Sequence, residues 1–284
     1  KTWRSQSMNN GRKSIVTILS ALAIVTVPAA SRAASVGLGA SVWCAWWESM
    51  APSQASLSGG SSGIEPVPAA AGGPILSVQF NDTWGLNLSY LYGKFKLDKS
   101  SPLIGYKMEA ARHDLDFIVS AAVHKYVRVF FGAKYWGYMV DMRTNLLFFS
   151  YGSRITRHQG GPGLGLGLTL PLGAGFHLLP NVSGVFMFGT IDPQNNGLIG
   201  QAINRIFKST DTNSVVMYYG INATLSLAYH IEKANLTLAI GGRFQYLWLY
   251  LIESESTIDS NDMFAGINFS AMYMFDIPGQ GKKG

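Results

Sequence analysis

The stretch Ser214 to Ile231, SVVMYYGINATLSLAYHI, decides the fold class. Its odd-numbered positions are all apolar, whereas its even-numbered positions hold most of the polar and small residues. A helix would mix these two sets around its circumference, but a strand places them on opposite faces. The stretch is also long enough to cross a bilayer as a tilted strand. It therefore predicts a membrane-spanning strand with one face in lipid and the other in a polar interior.

The same alternation recurs along most of the chain, for example from Gly163 to Leu172, where leucine alternates with small residues. Short turns and long irregular stretches separate the alternating segments in regular succession, as in barrels of the bacterial outer membrane. This succession predicts an all-β fold, a closed antiparallel up-and-down transmembrane β-barrel of ten strands. Eight strands is the alternative, because the first segment is glycine-rich and the second is short. The predicted strands are 35–47, 74–81, 84–97, 112–124, 127–140, 160–171, 174–190, 214–231, 235–252 and 263–275.

The connections predict which side of the membrane each end of the barrel occupies. The short turns are expected in the periplasm and the long loops outside the cell. The sheet must close on itself, because an open edge in hydrocarbon would leave backbone groups without hydrogen bonds. The predicted long loops are 48–73, 98–111, 141–159, 191–213 and 253–262.

Composition argues against a soluble β-sandwich, the other fold with many alternating strands. Only 13% of residues are charged, whereas 12% are aromatic and 32 are glycine. A sandwich would have shorter strands and charged outward faces. Aromatic residues here collect near predicted strand ends, which is typical of the two girdles at membrane interfaces. The predicted interface aromatics include Trp46, Trp84, Tyr135, Tyr229, Trp248, Tyr250, Tyr273 and Phe275.

The formal charge of +6 comes mainly from the first 33 residues, which hold five of the 22 cations and no acid. Arg12 and Lys13 followed by the apolar stretch 15–27 are typical of a cleavable export signal, with the cut expected after Ala33. The rest of the chain has no basic stripe, so nucleic acid is not an expected partner. We predict an N-terminal extension and signal peptide at 1–33, a barrel at 34–276 and a short periplasmic tail at 277–284, with the barrel in the bacterial outer membrane.

The last predicted strand ends in Ala271-Met272-Tyr273-Met274-Phe275. This ending resembles the signal that outer-membrane barrels present to the barrel-insertion machinery, which the resemblance makes an expected partner. The whole pattern of signal, small barrel and surface loops resembles the OmpW-type and opacity-type group of small barrels. Members of that group have eight strands, and a barrel of ten is closer in size to the omptin proteases.

Charged residues on the predicted inner face are candidates for a lumenal network. Asp114 and Asp116 share one face, and pairing across the next turn would place Asp116 opposite Lys134, with Arg128 nearer the turn. We expect a structural ion pair, although in an open lumen such groups would set ion preference. The predicted lumen-facing polar residues are Asp114, Asp116, Arg128, Lys134, Asn222 and Arg243.

No residue pattern predicts an enzyme, a cofactor or a metal site. A protease of the omptin kind would need paired Asp and His-Asp groups at the outer rim, and Asp141, His158, Asp192 and Asp211 match no such spacing. The glycine run that starts at 160 alternates with leucine from Gly163 onward and lacks the helix and lysine of a phosphate loop. Cys44 is the only cysteine and is expected to be an inert side chain on a strand.

Two of the predicted loops contain apolar segments that bear on function. An apolar run in the third loop and helical spacing in the fourth would form either a cover over the barrel mouth or an apolar gateway. The leading hypothesis is a small passive channel for small or hydrophobic solutes, and the alternative is a surface adhesin or host-interaction protein anchored by its barrel. Expected partners are outer-membrane lipids and lipid-like molecules, small hydrophobic solutes, or host surface molecules. The gateway candidates are Leu146, Leu147, Phe148, Phe149, Ile199, Ile203, Ile206 and Phe207.

Overall fold

The computed structural model describes residues 35–49, 67–100, 104–146, 149–196, 214–251 and 260–276, and almost all of them are in strands. Strands β6 and β7 form one crossing that is interrupted only at Thr169, so the barrel has ten crossing strands, as the sequence predicts. The strands are β1 (Ser35–Ser49), β2 (Val67–Gln79), β3 (Trp84–Ser100), β4 (Ile104–His124), β5 (Val127–Leu146), β6 (Phe149–Leu168), β7 (Leu170–Gly173), β8 (Phe176–Asn196), β9 (Ser214–Ile231), β10 (Leu236–Leu251) and β11 (Ser260–Asp276).

Each of the ten crossing strands pairs antiparallel with the crossings before and after it in the sequence, and the first strand pairs with the last. At the β6–β7 interruption the Thr169 amide donates a hydrogen bond to the Tyr126 carbonyl over 2.9 Å. The sheet is therefore closed, with no edge exposed to hydrocarbon. No helix in the described ranges is long and apolar enough to span a membrane.

The register of the strands defines the size of the barrel. A path of directly paired residues that starts at Ser35 returns to β1 at Trp47, which gives a shear number of 12 from the difference of the two positions. Ten strands with this shear tilt by about 40° and enclose a cylinder of about 10 Å radius at the Cα atoms. The path runs through Gln79, Gly85, Ser120, Phe130, Gly165, Ser183, Asn222, Gln245 and Phe264.

Short turns join the strands at one end. At the first turn the Asn81 side-chain oxygen accepts hydrogen bonds from the Thr83 and Trp84 amides over 2.9 and 2.8 Å. The turn before β8 needs left-handed backbone, which Gly173 and Gly175 adopt freely and Ala174 adopts at φ 49°. These tight turns fix the strand register at the end that the sequence analysis placed in the periplasm.

At the other end the strands are longer than the sequence predicted. The segments 98–111 and 141–159 were expected to be loops, but β3 continues to Ser100, β5 continues to Leu146 and β6 begins at Phe149. Likewise β2 begins at Val67, inside the predicted loop 48–73. The prediction was wrong because it followed apolar alternation, which ends where the lipid ends. Antiparallel backbone pairing needs no apolar face and continues beyond that level.

The outer face of the barrel is apolar and exposed, the reverse of a soluble protein. Small and polar residues or buried clusters occupy the inner face. An even number of antiparallel strands with this distribution is the architecture of an outer-membrane barrel. Exposed outward side chains include Leu38, Val42, Leu164, Leu166, Val182, Leu225, Ile240 and Phe269.

Candidate functional site

Large side chains fill the lumen in the half of the barrel away from the turns. Trp136, Tyr218 and Phe264 point inward from three different strands, and each is at most 1% exposed. A side chain on the wall of an open pore would be wetted, so this layer closes the lumen. We call it the lumen plug, formed by Trp43, Trp47, Arg112, Asp114, Lys134, Trp136, Tyr138, Arg157, Gln159, Met187, Tyr218, Gln245, Leu247 and Phe264.

The charged part of the plug is a chain of ion pairs. The Lys134 ammonium donates to both Asp114 and, over 2.8 Å, to Asp116, which lies directly opposite it in the register. Arg112 donates to the other Asp114 oxygen over 2.7 Å. Arg243 approaches Asp116 from β10 at 3.8 Å, so the chain of charges crosses the lumen. Each buried charge therefore has a partner, as a low-dielectric interior requires.

Aromatic rings surround the Arg112 guanidinium. Its central carbon lies 3.9 Å from the centre of the Phe264 ring, 5.2 Å from Trp136 and 5.4 Å from Trp43. Gln245 accepts a further hydrogen bond from Arg112 over 2.7 Å. Cation–π attraction is strongest where the cation is desolvated, as here. Arg112 thus links the ionic chain to the aromatic part of the plug.

A third buried cation, after Lys134 and Arg112, lies on β6. Arg157 donates to the Tyr218 hydroxyl over 3.1 Å and approaches Asp262 at 3.8 Å. Nearby, the Trp47 ring stacks on Phe264 at 5.8 Å and meets Tyr138 edge-on at 5.2 Å. Ionic and aromatic contacts from both sides of the barrel therefore hold one continuous packed layer.

The half of the lumen nearer the turns is different. Its inner face carries glycine, serine and asparagine, and most of these residues are partly exposed. Arg128 lies here and donates to Gln79 over 3.4 Å. Asn222 faces inward beside Gln245, and Arg243 lies beside Thr224 at the upper limit of this space. We call this polar space the vestibule; it lies on the turn side of the plug.

The aromatic residues predicted at the membrane interfaces lie on the outer face, most of them near strand ends, whereas Tyr135 lies in the middle of β5. Trp46 is the most exposed of them at 57%. Trp46, Tyr135 and Tyr250 lie toward the long-loop end, and Tyr229, Tyr273 and Phe275 lie toward the turns, all exposed. Trp84 and Trp248 are half-buried, and Trp248 stacks against Tyr219 at 5.4 Å.

Most of the gateway candidates lie outside the described residues, namely Leu147, Phe148, Ile199, Ile203, Ile206 and Phe207. Leu146 and Phe149 are paired backbone positions at the ends of β5 and β6, and their side chains are not described. The predicted signal 1–33 and tail 277–284 also lie outside the described ranges.

Of the four rim residues Asp141, His158, Asp192 and Asp211, the two whose side chains the structure describes are each bonded to a different partner. Asp141 is bonded to Arg154, with contacts of 2.5 and 3.1 Å, and this hydrogen bond raises the pKa of the exposed Arg154 guanidinium. His158 bonds the Tyr135 hydroxyl instead of a carboxylate. The Asp192 side chain and Asp211 lie outside the part of the chain that the structure describes. Among the described residues, no cluster of three or more His, Cys, Asp or Glu side chains could hold a metal ion.

Sequence reasoning missed several members of the plug, including Arg112, Arg157 and Gln245, and it also missed Asp262, the carboxylate beside Arg157. A signal for Arg112 was present, because it lies two residues before Asp114 on the same strand and so shares its inward face. The contacts of the other missed residues could be predicted only from the register between strands that are distant in sequence. Arg112 and Gln245, for example, are 133 residues apart.

The comparisons with known proteins find similarity in structure alone. No protein-family model matches the chain, and no curated protein sequence matches it. Solved structures similar to it include the Escherichia coli outer membrane protease OmpT, with 9% identity and a TM-score of 0.49, covering 89% of this chain and 99% of that one. Yersinia pestis Ail, the attachment invasion locus protein, has 10% identity and a TM-score of 0.30, covering 87% and 100%. A Pseudomonas aeruginosa FadL homologue has 10% identity and a TM-score of 0.38, covering 86% and 90%.

Proposed function

We propose that the protein is a sealed outer-membrane barrel that anchors a surface for binding other molecules outside the cell. The lumen plug is the observation that carries this proposal. A barrel whose centre is filled by fully buried Trp, Tyr and Arg side chains does not suit passive diffusion along its axis. Its function then belongs to the parts that project from the membrane.

The strand extensions support this view. On the outer face of β3, exposed Tyr92 is followed by exposed Lys94 and Lys96. On β5, Met139 is followed by Asp141 and Arg143 in the same way. The outward residues therefore change from apolar to charged where the lipid ends, while the strands continue. The sheet thus continues beyond the lipid, and segments that connect the strands of a scaffold are where binding residues concentrate.

The second candidate is the passive passage of small or hydrophobic solutes. The vestibule is the specific observation that favours it, because a polar, glycine-lined space is what one half of a water-filled pore would require. Passage would then need the plug to move or the solute to leave through the barrel wall.

Conductance in planar bilayers separates the two candidates. We expect no channel activity from the full chain and ion conductance from the variant Trp136→Gly/Phe264→Gly, which shortens two members of the plug. Phe186→Gly is the matched control, because it removes an exposed aromatic ring from the outer face and leaves the lumen unchanged. The proposal is overturned if the unaltered chain conducts ions as well as the double variant does. Resistance of unboiled protein to detergent unfolding on gels verifies that each variant is folded.

Binding is tested separately on cells that display the chain. We expect such cells to adhere to immobilised matrix or serum proteins more than cells in which residues 197–213 are replaced by a short linker. Equal adhesion of the two, with equal surface amounts, would argue against a binding role for that segment.

A further inference from the structure

A row of tyrosine and histidine side chains crosses the outer face of four adjacent strands. Tyr92, His113, Gly137 and His158 are successive partners in the register of β3, β4, β5 and β6. All four positions lie on the lipid-facing side, at the level where the outward residues change from apolar to charged. The row contains two of the five histidines in the chain, His113 on β4 and His158 on β6.

Each histidine in the row is held by a tyrosine. The His113 Nδ1 atom lies 2.7 Å from the Tyr90 hydroxyl, and the Tyr92 ring packs against His113 at 4.9 Å. The His158 Nδ1 atom lies 2.8 Å from the Tyr135 hydroxyl, and the two rings stack at 6.3 Å. Where the tyrosine hydroxyl donates to Nδ1, the imidazole hydrogen is on Nε2, which becomes a donor to an outside acceptor.

Gly137 makes this arrangement possible. The Tyr135 hydroxyl lies 2.9 Å from the position that a Cβ atom at residue 137 would occupy. Tyr135 therefore lies across the glycine toward His158, and a larger residue there would displace it. The row is a packed arrangement and not a set of independent surface side chains.

Cations lie immediately above the row on the same strands. They are Lys94, Lys96, Arg143 and Arg154, against the two described acids Glu109 and Asp141. Lys96 pairs with Glu109 at 3.1 Å, and Arg154 pairs with Asp141. The described side chains of this sector thus carry two more positive charges than negative ones.

On the opposite side of the barrel, the outward side chains that the structure describes at this level carry no charge. On β9, β10, β11, β1 and β2 these outward side chains are mostly apolar or small, with Asn261 as a polar exception; examples are Trp46, Tyr219 and Tyr250. A girdle of aromatic residues that only anchors the barrel at the membrane interface would have similar outward residues on both sides of the barrel. Among the described side chains the excess positive charge therefore lies on β3–β6, which suits a negatively charged ligand that approaches from within the outer leaflet.

We propose that this sector binds the phosphate group of an outer-leaflet glycolipid. Lys94 and Arg143 supply charge above the membrane surface, and the histidine Nε2–H groups supply donors at the depth of the headgroup. The tyrosine rings pack beside the sugar and the first part of the acyl chains. This site is on the outside of the barrel and does not depend on whether the lumen conducts.

The test measures binding of bis-phosphorylated lipid A and of the same lipid without phosphates to the full chain in detergent, by native mass spectrometry. We expect Lys94→Gln/Arg143→Gln and His113→Phe/His158→Phe each to weaken binding of the phosphorylated lipid by about tenfold. The phenylalanines keep an aromatic ring in each place, and unboiled gel mobility verifies folding. Lys125→Gln/Lys233→Gln, which alters two exposed cations at the turns, is the matched control and should bind as the unaltered chain does.

Three outcomes would overturn the proposal, and the first two are failures of binding to depend on phosphate or on the sector. In one, the unaltered chain binds the lipid equally with and without phosphates. In the other, both double variants bind the phosphorylated lipid as tightly as the control. Weakening by the histidine variant alone would also contradict it, since the recognition is attributed to cations and imidazoles together.

Discussion

Replacement of Asp114 by alanine is the most informative perturbation of the plug. The Asp114 carboxylate is 2% exposed and forms ion pairs with both Arg112 and Lys134, which are 2% and 4% exposed. The local network of Arg112, Lys134 and Arg243 with Asp114 and Asp116 already has one excess positive charge. Asp114→Ala raises that excess to two in a buried site.

The expected loss of stability follows from this charge balance. Removing one partner of a buried ion pair costs about 3–5 kcal/mol, because the remaining charge is left without compensation. Lys134→Met removes the excess charge instead, and it leaves Asp114 with Arg112 and Asp116 with Arg243. We therefore expect Asp114→Ala to destabilise the barrel by about 3–5 kcal/mol and Lys134→Met by no more than about 1–2 kcal/mol.

The free energy of unfolding in urea, measured for refolded protein in lipid vesicles by tryptophan fluorescence, provides the comparison. Asp116→Ala is the intermediate case, because this carboxylate is 19% exposed and water compensates part of its loss. The reasoning is refuted if Lys134→Met is as destabilising as Asp114→Ala, since the order of the two depends on the charge balance alone.

Three further predictions test other parts of the barrel. Gly132→Ala should lower the free energy of unfolding by more than about 1 kcal/mol, because its Cβ would lie 1.9 Å from the Phe117 carbonyl oxygen. In the same urea titration Gly242→Ala should be neutral or slightly stabilising, because no atom lies within 4 Å of its Cβ position. Cys44 is exposed on the outer face, so in vesicles it should react with an uncharged maleimide and not with a charged one; equal labelling by both, read by mass spectrometry, would place it in water. Glu109→Gln should change stability by less than about 0.5 kcal/mol, since its ion pair with Lys96 is solvent-exposed, and a larger loss would show that this pair is not screened.

The sequence was sufficient to predict the fold because the lipid imposes a strict two-residue period. In β9 that period identified both faces of the strand, and the predicted bounds 214–231 match the structure. The same rule could not predict where β5 ends, since Asp141 and Arg143 break the apolar pattern while the backbone pairing continues to Leu146.

Single-strand patterns could place a residue on the inner face but could not show how the lumen is filled. The pairing of Asp116 with Lys134 follows from one short turn and needs only local counting. The contact of Arg112 with Phe264 requires the shear of the whole barrel, which depends on every register at once. Whether inward side chains meet or leave a pore is therefore a global property of the strand arrangement.

The composition of the plug has a consequence for the order of assembly. Trp43 comes from the first strand and Phe264 from the last, and their rings lie 5.7 Å apart across the β1–β11 pairing. Arg112, from the middle of the chain, contacts both. A partly inserted sheet with its two ends apart cannot form these contacts, so the favourable energy of the packed interior is gained only in the final step. Closure is then a cooperative event, and a chain that lacks either terminal strand should stay a hydrated, easily digested sheet.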